Sequence, residues 1–508
     1  MIEVNPTRFK FPPYKHQLQG TKDLIRKAAF NLFWEMRTGK TKAVIDAACL
    51  LFEAGVIDTV VIACPAQVKP VWLEPELGEL KSHVFVSYRA IDLEAKIEHK
   101  LAGYLEACIK FHVLPFVVVS YEFLRQEDAQ TEYHKVGKLV EAVGNSKYLM
   151  VCDEGCALGN WGAAQTRALY QLRQTASRVT VLDGTPIGNS PLTLYTKFKL
   201  LQTKLAHRAK PILGFREFSH YKRFISVFGT MERGKFKKVV AWKNLDEITQ
   251  RAAPYCSRVE AKDVLDMPRM VPGMIQASLS EKSWKVYKDL RDQMVAWVDG
   301  EENVIQHAHV KVLRLAQVCG GFLGGFESEI NIGEKEVREV GTESLESVLD
   351  WLRLRFKERE DFKVVIWVRF RAEIERYFDR ISREFPLAEV KRQYGDVKDY
   401  DGELHPKHPF TGAFVLIVQQ QAAQYGMNFS KADTEVFASQ DYNVVTRSQS
   451  EVRLQAPETR SITSVIDLLV TGPQGQKTVT HDIVKSLREK EDLGRRTAAR
   501  WKQVLTEE

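Results

Sequence analysis

The stretch from Asn31 to Ala48 narrows the possible fold of this chain more than any other. A short apolar run, Asn31-Leu32-Phe33, leads into Trp34-Glu35-Met36-Arg37-Thr38-Gly39-Lys40-Thr41. An apolar helical pattern, Ala43-Val44-Ile45-Asp46-Ala47-Ala48, follows it. Strand, loop and helix in that order are what a phosphate-gripping loop needs. Amide groups at the helix N-terminus face the anion, a lysine reaches its outer oxygens, and a neighbouring hydroxyl ligates a hard cation. Arg37, Thr38, Gly39, Lys40 and Thr41 are then the nucleotide-binding residues, with Lys40 on the β/γ oxygens and Thr41 on Mg²⁺. Gly-Lys-Thr is a common tripeptide, and Trp34 stands where the strict pattern has its first glycine, so the loop counts only with partners.

Those partners follow in the order that hydrolysis of a nucleoside triphosphate requires. Tyr148-Leu149-Met150-Val151-Cys152 is an apolar strand ending in Asp153-Glu154. A carboxylate at the C-terminal tip of a parallel strand can hold Mg²⁺ through water, and a second one beside it can deprotonate the attacking water. Asp153 takes the first role and Glu154 the second. Alone the pair could be a solvated turn; a phosphate loop upstream favours the chemistry.

The apolar runs at 59–64, 116–121, 148–152 and 178–182 are continuous rather than alternating, the mark of strands buried on both faces of a parallel sheet. A second set, 363–368, 414–418, 434–438 and 464–470, repeats the pattern between helical stretches such as 343–359 and 371–384. The prediction is an α/β protein with two doubly wound lobes. Ligands of such sheets bind outside the carboxyl ends of the strands, where Lys40, Asp153 and Thr185 fall. With 508 residues, 44% hydrophobic and 27% charged, the composition is that of an ordinary globular chain of about three to four domains. No apolar run is long enough to span a bilayer, and the N-terminal segment lacks the apolar core of a signal peptide. Seven cysteines without a C-x-x-C pair suggest neither a disulfide framework nor a zinc site. A reducing cytoplasm is the expected setting.

Charge is lopsided in one place. From Thr196 to Lys243 there are thirteen Lys/Arg against Glu217 and Glu232, a local +11 in a chain of net +7, so the remainder sums to −4. Phe198, Phe215, Phe218, Tyr221, Phe224, Phe228, Phe236 and Trp242 are interleaved with these cations. Such a mixture can grip phosphates and offer stacking faces; each aromatic taken singly is more simply a core residue, whereas the basic cluster as a whole favours nucleic acid, because a solvated face would normally mix both signs. Lys235, Lys237 and Lys238 are the densest cluster and the candidate nucleic-acid contacts. His307-Ala308-His309 has no accompanying ligand pattern and reads as helix surface, and the glycines from Gly320 to Gly325 read as a flexible corner after a helix over 304–318. Cys152 and Cys156, on either side of Asp153-Glu154, read as small packing residues.

Leu182-Asp183-Gly184-Thr185-Pro186-Ile187-Gly188-Asn189 resembles the Thr-Gly-Thr-Pro-Leu-Gln-Asn element of Snf-type ATPases, the chromatin-remodeller-like branch of superfamily 2 helicases. Further elements match in order. Tyr14 to Gly20, with Gln17, is similar to the adenine-reading element, and Val60 to Pro65 through Trp72, with Lys69, to the next strand and its DNA-contacting turn. Val117 to Leu124 resembles the strand after that, Lys363 to Phe370 the opening of the second lobe, and Gln424-Tyr425-Gly426-Met427-Asn428-Phe429 with Ala432-Asp433 the Gly-Leu-Gly-Leu-Asn-Leu…Ala-Asp element. The form of the phosphate loop looks like that of bacteriophage-encoded members. The resemblance runs from about residue 12 to 470 and implies two tandem RecA-like lobes with ATP between them. On that basis 1–200 is the first lobe, 201–340 a mainly helical, basic insertion and linker, 341–485 the second lobe, and 486–508 a charged C-terminal helix.

The resemblance implies that Gln17 reads adenine, that Gly426 lies at the nucleotide, that Lys69 and Thr185 contact nucleic acid, and that an arginine of the second lobe stabilises the γ-phosphate charge. Gln449 to Ala456 aligns with Gln-Ala-Glu-Asp-Arg-x-His-Arg: Arg453 matches the first arginine, and Ala456 stands at the second. Arg460 is the candidate substitute one turn on, although Pro457 favours an irregular segment and a surface role is the simpler alternative. Gly155-Cys156 stand where Ala-His is common, and Arg37 replaces a usual glycine. The function expected is an ATP- and Mg²⁺-dependent helicase or double-stranded DNA translocase acting on duplex or branched DNA. An ATP-gated DNA-binding module with little turnover, and an RNA-tracking helicase, stay open.

Overall fold

A computed structural model describes the chain apart from residues 1, 76–77, 96–99, 127–134, 145, 185–190, 203–219, 232–238, 294–303, 328–334, 396, 407, 424–426, 456–461 and 490–508. It divides into two compact units, the first taking in Met1–Leu265 and the second Asp266–Glu491. The division falls inside the 201–340 stretch read as insertion and linker. Residues 256–259 pair with a first-unit strand, and residues 270–278 pair with a second-unit strand.

In the first unit, β2 (Thr59–Cys64), β3 (Tyr88–Asp92), β4 (Leu114–Ser120), β5 (Tyr148–Cys152) and β6 (Arg178–Val181) form a parallel sheet in the order β3-β4-β2-β5-β6. Every residue of β2, β4 and β5 is buried, as the continuous apolar runs predict for strands covered on both faces. β1 (Asn31–Trp34) lies beside β6 through bridges Ala29–Val179 and Leu32–Leu182, and the Asn31 side chain accepts from the Val181 amide at 3.0 Å. On its other side β1 pairs in parallel with β9 (Cys256–Val259), Asn31 opposite Cys256 and Trp34 opposite Val259. A short antiparallel pair, β7 (Gly229–Met231) and β8 (Val239–Trp242), precedes β9. Two helices flank the first strand: α1 (Lys15–Arg26) before it and α2 (Lys40–Glu53) after it.

The second unit holds a seven-stranded sheet. Its strands are β10 (Met270–Ser278), β13 (Lys363–Val368), β14 (Glu389–Tyr394), β15 (Val397–Lys398), β16 (Phe414–Gln419), β17 (Thr434–Phe437) and β18 (Thr463–Thr471), in the order β10-β18-β17-β13-β16-β14-β15. All neighbours are parallel except β14 and β15. β13 is buried throughout, whereas β14, near the edge, is half-buried. Helices Glu343–Glu358 and Arg371–Glu384 lie where periodicity predicts them. The glycine-rich segment after helix Val304–Cys319 differs from the expected loose corner. Gly321, at φ +84°, turns the chain into β11 (Phe322–Glu327), which pairs antiparallel with β12 (Lys335–Glu339).

The basic stretch is divided between core and surface. Lys197 and Lys199 lie in the buried helix Leu192–Leu201, where Lys197 forms a fully buried ion pair with Asp183. Phe198, Phe224 and Phe228 are core residues of the first unit, while Lys222, Arg223 and Lys243 are exposed. Lys235, Lys237 and Lys238 lie outside the described residues.

Candidate nucleotide site

β1, β5 and β6 are neighbours, and the candidate residues sit at their carboxyl ends. After Trp34 the chain turns through Glu35 to Gly39 and enters α2 at Lys40. Arg37 (φ +65°) and Gly39 (φ +80°) both take left-handed backbone. Gly39 is doubly required, because a Cβ there would also lie 2.1 Å from Gln17 Nε2. Arg37 adopts the same region while carrying a side chain, at about 1–2 kcal/mol. Strain of this kind concentrates at functional sites.

Hydrogen bonds brace the turn from within. Thr38 Oγ1 donates to the Glu35 carbonyl at 2.7 Å, and Lys40 Nζ donates to the Trp34 and Glu35 carbonyls at 2.9 and 3.2 Å. The buried ammonium is thus held by two neutral acceptors that an anionic phosphate would displace, since charge-assisted hydrogen bonds are the stronger ones. Thr41, half-buried, follows in the first turn of α2, whose amide groups have no carbonyl partners of their own.

Gln17 packs against this loop from α1. Its Nε2 donates to the Thr38 carbonyl at 3.1 Å, and its Oε1 accepts from the Tyr14 amide at 3.0 Å. His16 Nε2 also lies 2.7 Å from the Thr38 carbonyl, and burial lowers its pKa, so the neutral ring donates. Both side chains therefore fix the loop backbone.

Asp153 is buried at the end of β5. Its Oδ2 accepts from Trp72 Nε1 at 2.9 Å, its Oδ1 from the Glu154 amide at 2.9 Å, and its carbonyl from the Tyr121 hydroxyl at 2.6 Å. Burial raises its pKa, opposed by the Lys40 charge and by the two donors. Glu154 has left-handed backbone at φ +50° and is half-buried, with the Cys156 thiol 3.8 Å from its Oε2. Gly155 has no room for a side chain: a Cβ would lie 2.5 Å from Val181 Cγ1 and 3.3 Å from Asp183 Oδ2. Cys152 is inert core, its thiol pushed up to about 12 by burial. Thr41 and Asp153 supply hydroxyl and carboxylate oxygens, the donor types that Mg²⁺ takes alongside phosphate and water.

Two expectations meet different surroundings. Lys69 lies between Asp92 (2.7 Å) and Glu94 (3.2 Å), so two carboxylates inside the first unit already hold the ammonium expected to meet nucleic acid. Trp72, at the end of the turn expected to contact DNA, is fully buried and orients Asp153. Arg453 belongs to the second unit, where its Nη1 donates to the Met427 carbonyl at 3.2 Å. Thr185, Gly426, Ala456 and Arg460 lie outside the described residues. Sequence reasoning missed Trp72, Tyr121 and Arg258 as structural partners of the site. Trp72 and Tyr121 fall in motifs it did single out, but Arg258 carries no local signal.

Residues 27–320, more than half of the chain, match the model of the SNF2-related domain. This chain belongs to the SNF2-related family. Within its relatives, "Helicase-like transcription factor" of Mus musculus is 30% identical over 176 residues, and that of Homo sapiens 30% identical over 177 residues. Each alignment covers 34% of this chain and only 16% of the relative's length. The solved "Sulfolobus solfataricus SWI2/SNF2 ATPase core in complex with dsDNA" aligns over 93% of this SNF2-related chain and 91% of its own, at 16% identity and a TM-score of 0.39.

Proposed function

We propose that this SNF2-related chain is a DNA-dependent ATPase, a helicase or double-stranded DNA translocase that moves along or remodels DNA. The observation that carries the proposal is that Lys40, held by the loop carbonyls after β1, and Asp153, oriented by Trp72 after β5, both sit at the carboxyl ends of neighbouring parallel strands joined through β6. Lys40 exchanges the Trp34 and Glu35 carbonyls for phosphate oxygens. Bound through Thr41 and Asp153, Mg²⁺ would supply charge neutralisation at the phosphates. Glu154 accepts the proton of the attacking water, and Arg453 is the candidate, by the family resemblance, for the developing phosphate charge. Lys222, Arg223 and Lys243, exposed in the basic stretch, are suited to DNA phosphates, together with Lys235, Lys237 and Lys238. A chromatin-remodeller-like relative in a phage-type form, working in a reducing cytoplasm, is the setting we favour.

A second reading, an ATP-gated DNA-binding module, is favoured by one contact: the Cys156 thiol, where the family pattern has His, leans on the Glu154 carboxylate. Steady-state ATPase without nucleic acid and with single-stranded, duplex or forked DNA or RNA decides among these. The expected result is stimulation by duplex or forked DNA that Lys40→Ala abolishes. Glu154→Gln should retain ATP and hydrolyse it about 10²–10⁴-fold more slowly. Near-wild-type turnover in Lys40→Ala would overturn the assignment. Absence of stimulated turnover favours the gated module, and stimulation by RNA alone the RNA track.

A further inference from the structure

Where β1 becomes the phosphate loop, one side chain from a distant part of the chain is built into the junction. Arg258 lies on β9, the strand that follows the basic stretch and precedes the second unit in sequence. Its Nη1 donates to the Phe33 carbonyl and to the Gly184 carbonyl, both at 2.9 Å, and its Nη2 pairs with Glu35 Oε1 at 3.1 Å. The other Glu35 oxygen accepts from the Ala261 amide at 2.9 Å, and the Glu35 amide donates to the Val259 carbonyl at 2.9 Å. Glu35 is thereby tied to residues 258–261 through both main chain and side chain. Its own carbonyl holds Lys40 Nζ and Thr38 Oγ1.

We propose that Arg258 and Glu35 form a positioning pair for nucleotide binding, through which the strand returning from the basic stretch sets the phosphate loop. The inference rests on the nucleotide-site reading above. The parallel ladder already joins β1 to β9 over Asn31–Trp34, so strand pairing does not need the guanidinium. The guanidinium acts one step further on, where regular pairing stops and the loop begins. It also reaches Gly184, the residue preceding Thr185, so one planar fork spans the start of the phosphate loop and the start of the Gly-Thr-Pro element. A point ammonium cannot reproduce that geometry. A shift of Glu35 would move the carbonyl that holds Lys40 and Thr38, and so the mouth of the site. Arg258 touches no reacting atom in this scheme; it acts through the loop.

The test is equilibrium binding of a fluorescent, non-hydrolysable ATP analogue with Mg²⁺ to the full chain, alongside KM and kcat for ATP with duplex DNA. The variants are Arg258→Lys, Arg258→Gln, Glu35→Gln and the double Glu35→Gln/Arg258→Gln. Losing one charge-assisted contact at the junction should weaken analogue binding and raise KM about tenfold in each single variant. DNA affinity should stay near wild type, and kcat should fall less than KM rises. The double variant should be no weaker than the worse single, because the two residues act as one unit. Arg258→Lys keeps the packing, and so gives an answer should the glutamine variant unfold. Analogue affinity within about twofold of wild type in Arg258→Lys and Glu35→Gln, or multiplicative losses in the double variant, would overturn the pair. Lys40→Ala run in parallel separates the two readings. If it leaves analogue binding intact, the nucleotide site itself is misassigned. If it abolishes binding while the pair variants bind normally, only the positioning inference fails.

Discussion

Gly155→Ala would place the alanine common in the family beside the Asp-Glu pair, and in this chain it should be harmful. The added Cβ would sit 2.5 Å from Val181 Cγ1, against about 3.5–4.0 Å for a relaxed carbon contact, so something must yield by roughly 1 Å. Val181 has little freedom to do so. It is fully buried on β6, it pairs with Cys152, and its amide is held by Asn31 Oδ1 at 3.0 Å; its branched side chain is stiff about χ1. The Gly155 amide is likewise held by the Leu182 carbonyl at 2.8 Å. Overpacking of this kind costs about 1–3 kcal/mol, which for a unit of this size lowers the melting temperature by about 2–12 °C. The easier displacement is of the Glu154–Gly155 turn, so the carboxylate assigned to the water moves. A misplacement near 1 Å reduces turnover by about 10²-fold. Thermal unfolding and DNA-stimulated ATPase on Gly155→Ala, Val181→Ala and the double variant measure both effects. The double variant should recover about 1–3 kcal/mol of coupling, because removing the γ-methyl groups removes the clash. A single Gly155→Ala variant with unchanged melting temperature and turnover would refute the steric account.

Three further outcomes are expected. Trp72→Phe keeps most of the buried ring but deletes the donor to Asp153, so the Mg²⁺ concentration for half-maximal ATPase should rise about 10–100-fold; an unchanged Mg²⁺ titration would show that Trp72 only packs. Arg453→Ala should lower DNA-stimulated kcat at saturating ATP by about 10³-fold, the lower end for a γ-phosphate arginine. A matching loss in Arg460→Ala would mean a relocated second arginine, whereas loss in Arg453→Ala alone leaves a single one. Glu435 in the second unit is buried, and burial raises its carboxyl pKa to about 8, with Trp367 Nε1 donating to its Oε2 at 2.7 Å. The folded state therefore holds a proton that the unfolded state has released, and stability should fall as pH rises from about 4.5 to about 8, by up to about 1.4 kcal/mol per unit. Urea unfolding of Glu435→Gln across that window should lack this component, and a slope identical to wild type would contradict it.

The strands were legible in the sequence because burial on both faces demands uninterrupted apolar runs, so β2, β5, β13 and β16 lie within a residue of their predicted limits. The turn from Glu35 to Gly39 was legible for a similar reason. Gly39 takes left-handed backbone, and Lys40 and Thr41 follow it directly in the first turn of α2, so the residues proposed to meet phosphate are consecutive in the sequence. Chain order also announced Asp153-Glu154 at a strand tip. What surrounds these residues was decided by tertiary structure. Trp72 reaches Asp153 across 81 residues of chain and Arg258 reaches Glu35 across 223, and no local spacing encodes a contact between segments that meet only when the sheet closes. The same holds for charge. Lys69, Lys197 and Lys199 add to the positive count exactly as an exposed lysine does, yet Lys69 is held by carboxylates, Lys197 is paired with Asp183, and Lys199 is buried among aromatic rings. Sequence alone counts charges, but the desolvation and pairing that fix what each charge can still do depend on the neighbours the fold supplies.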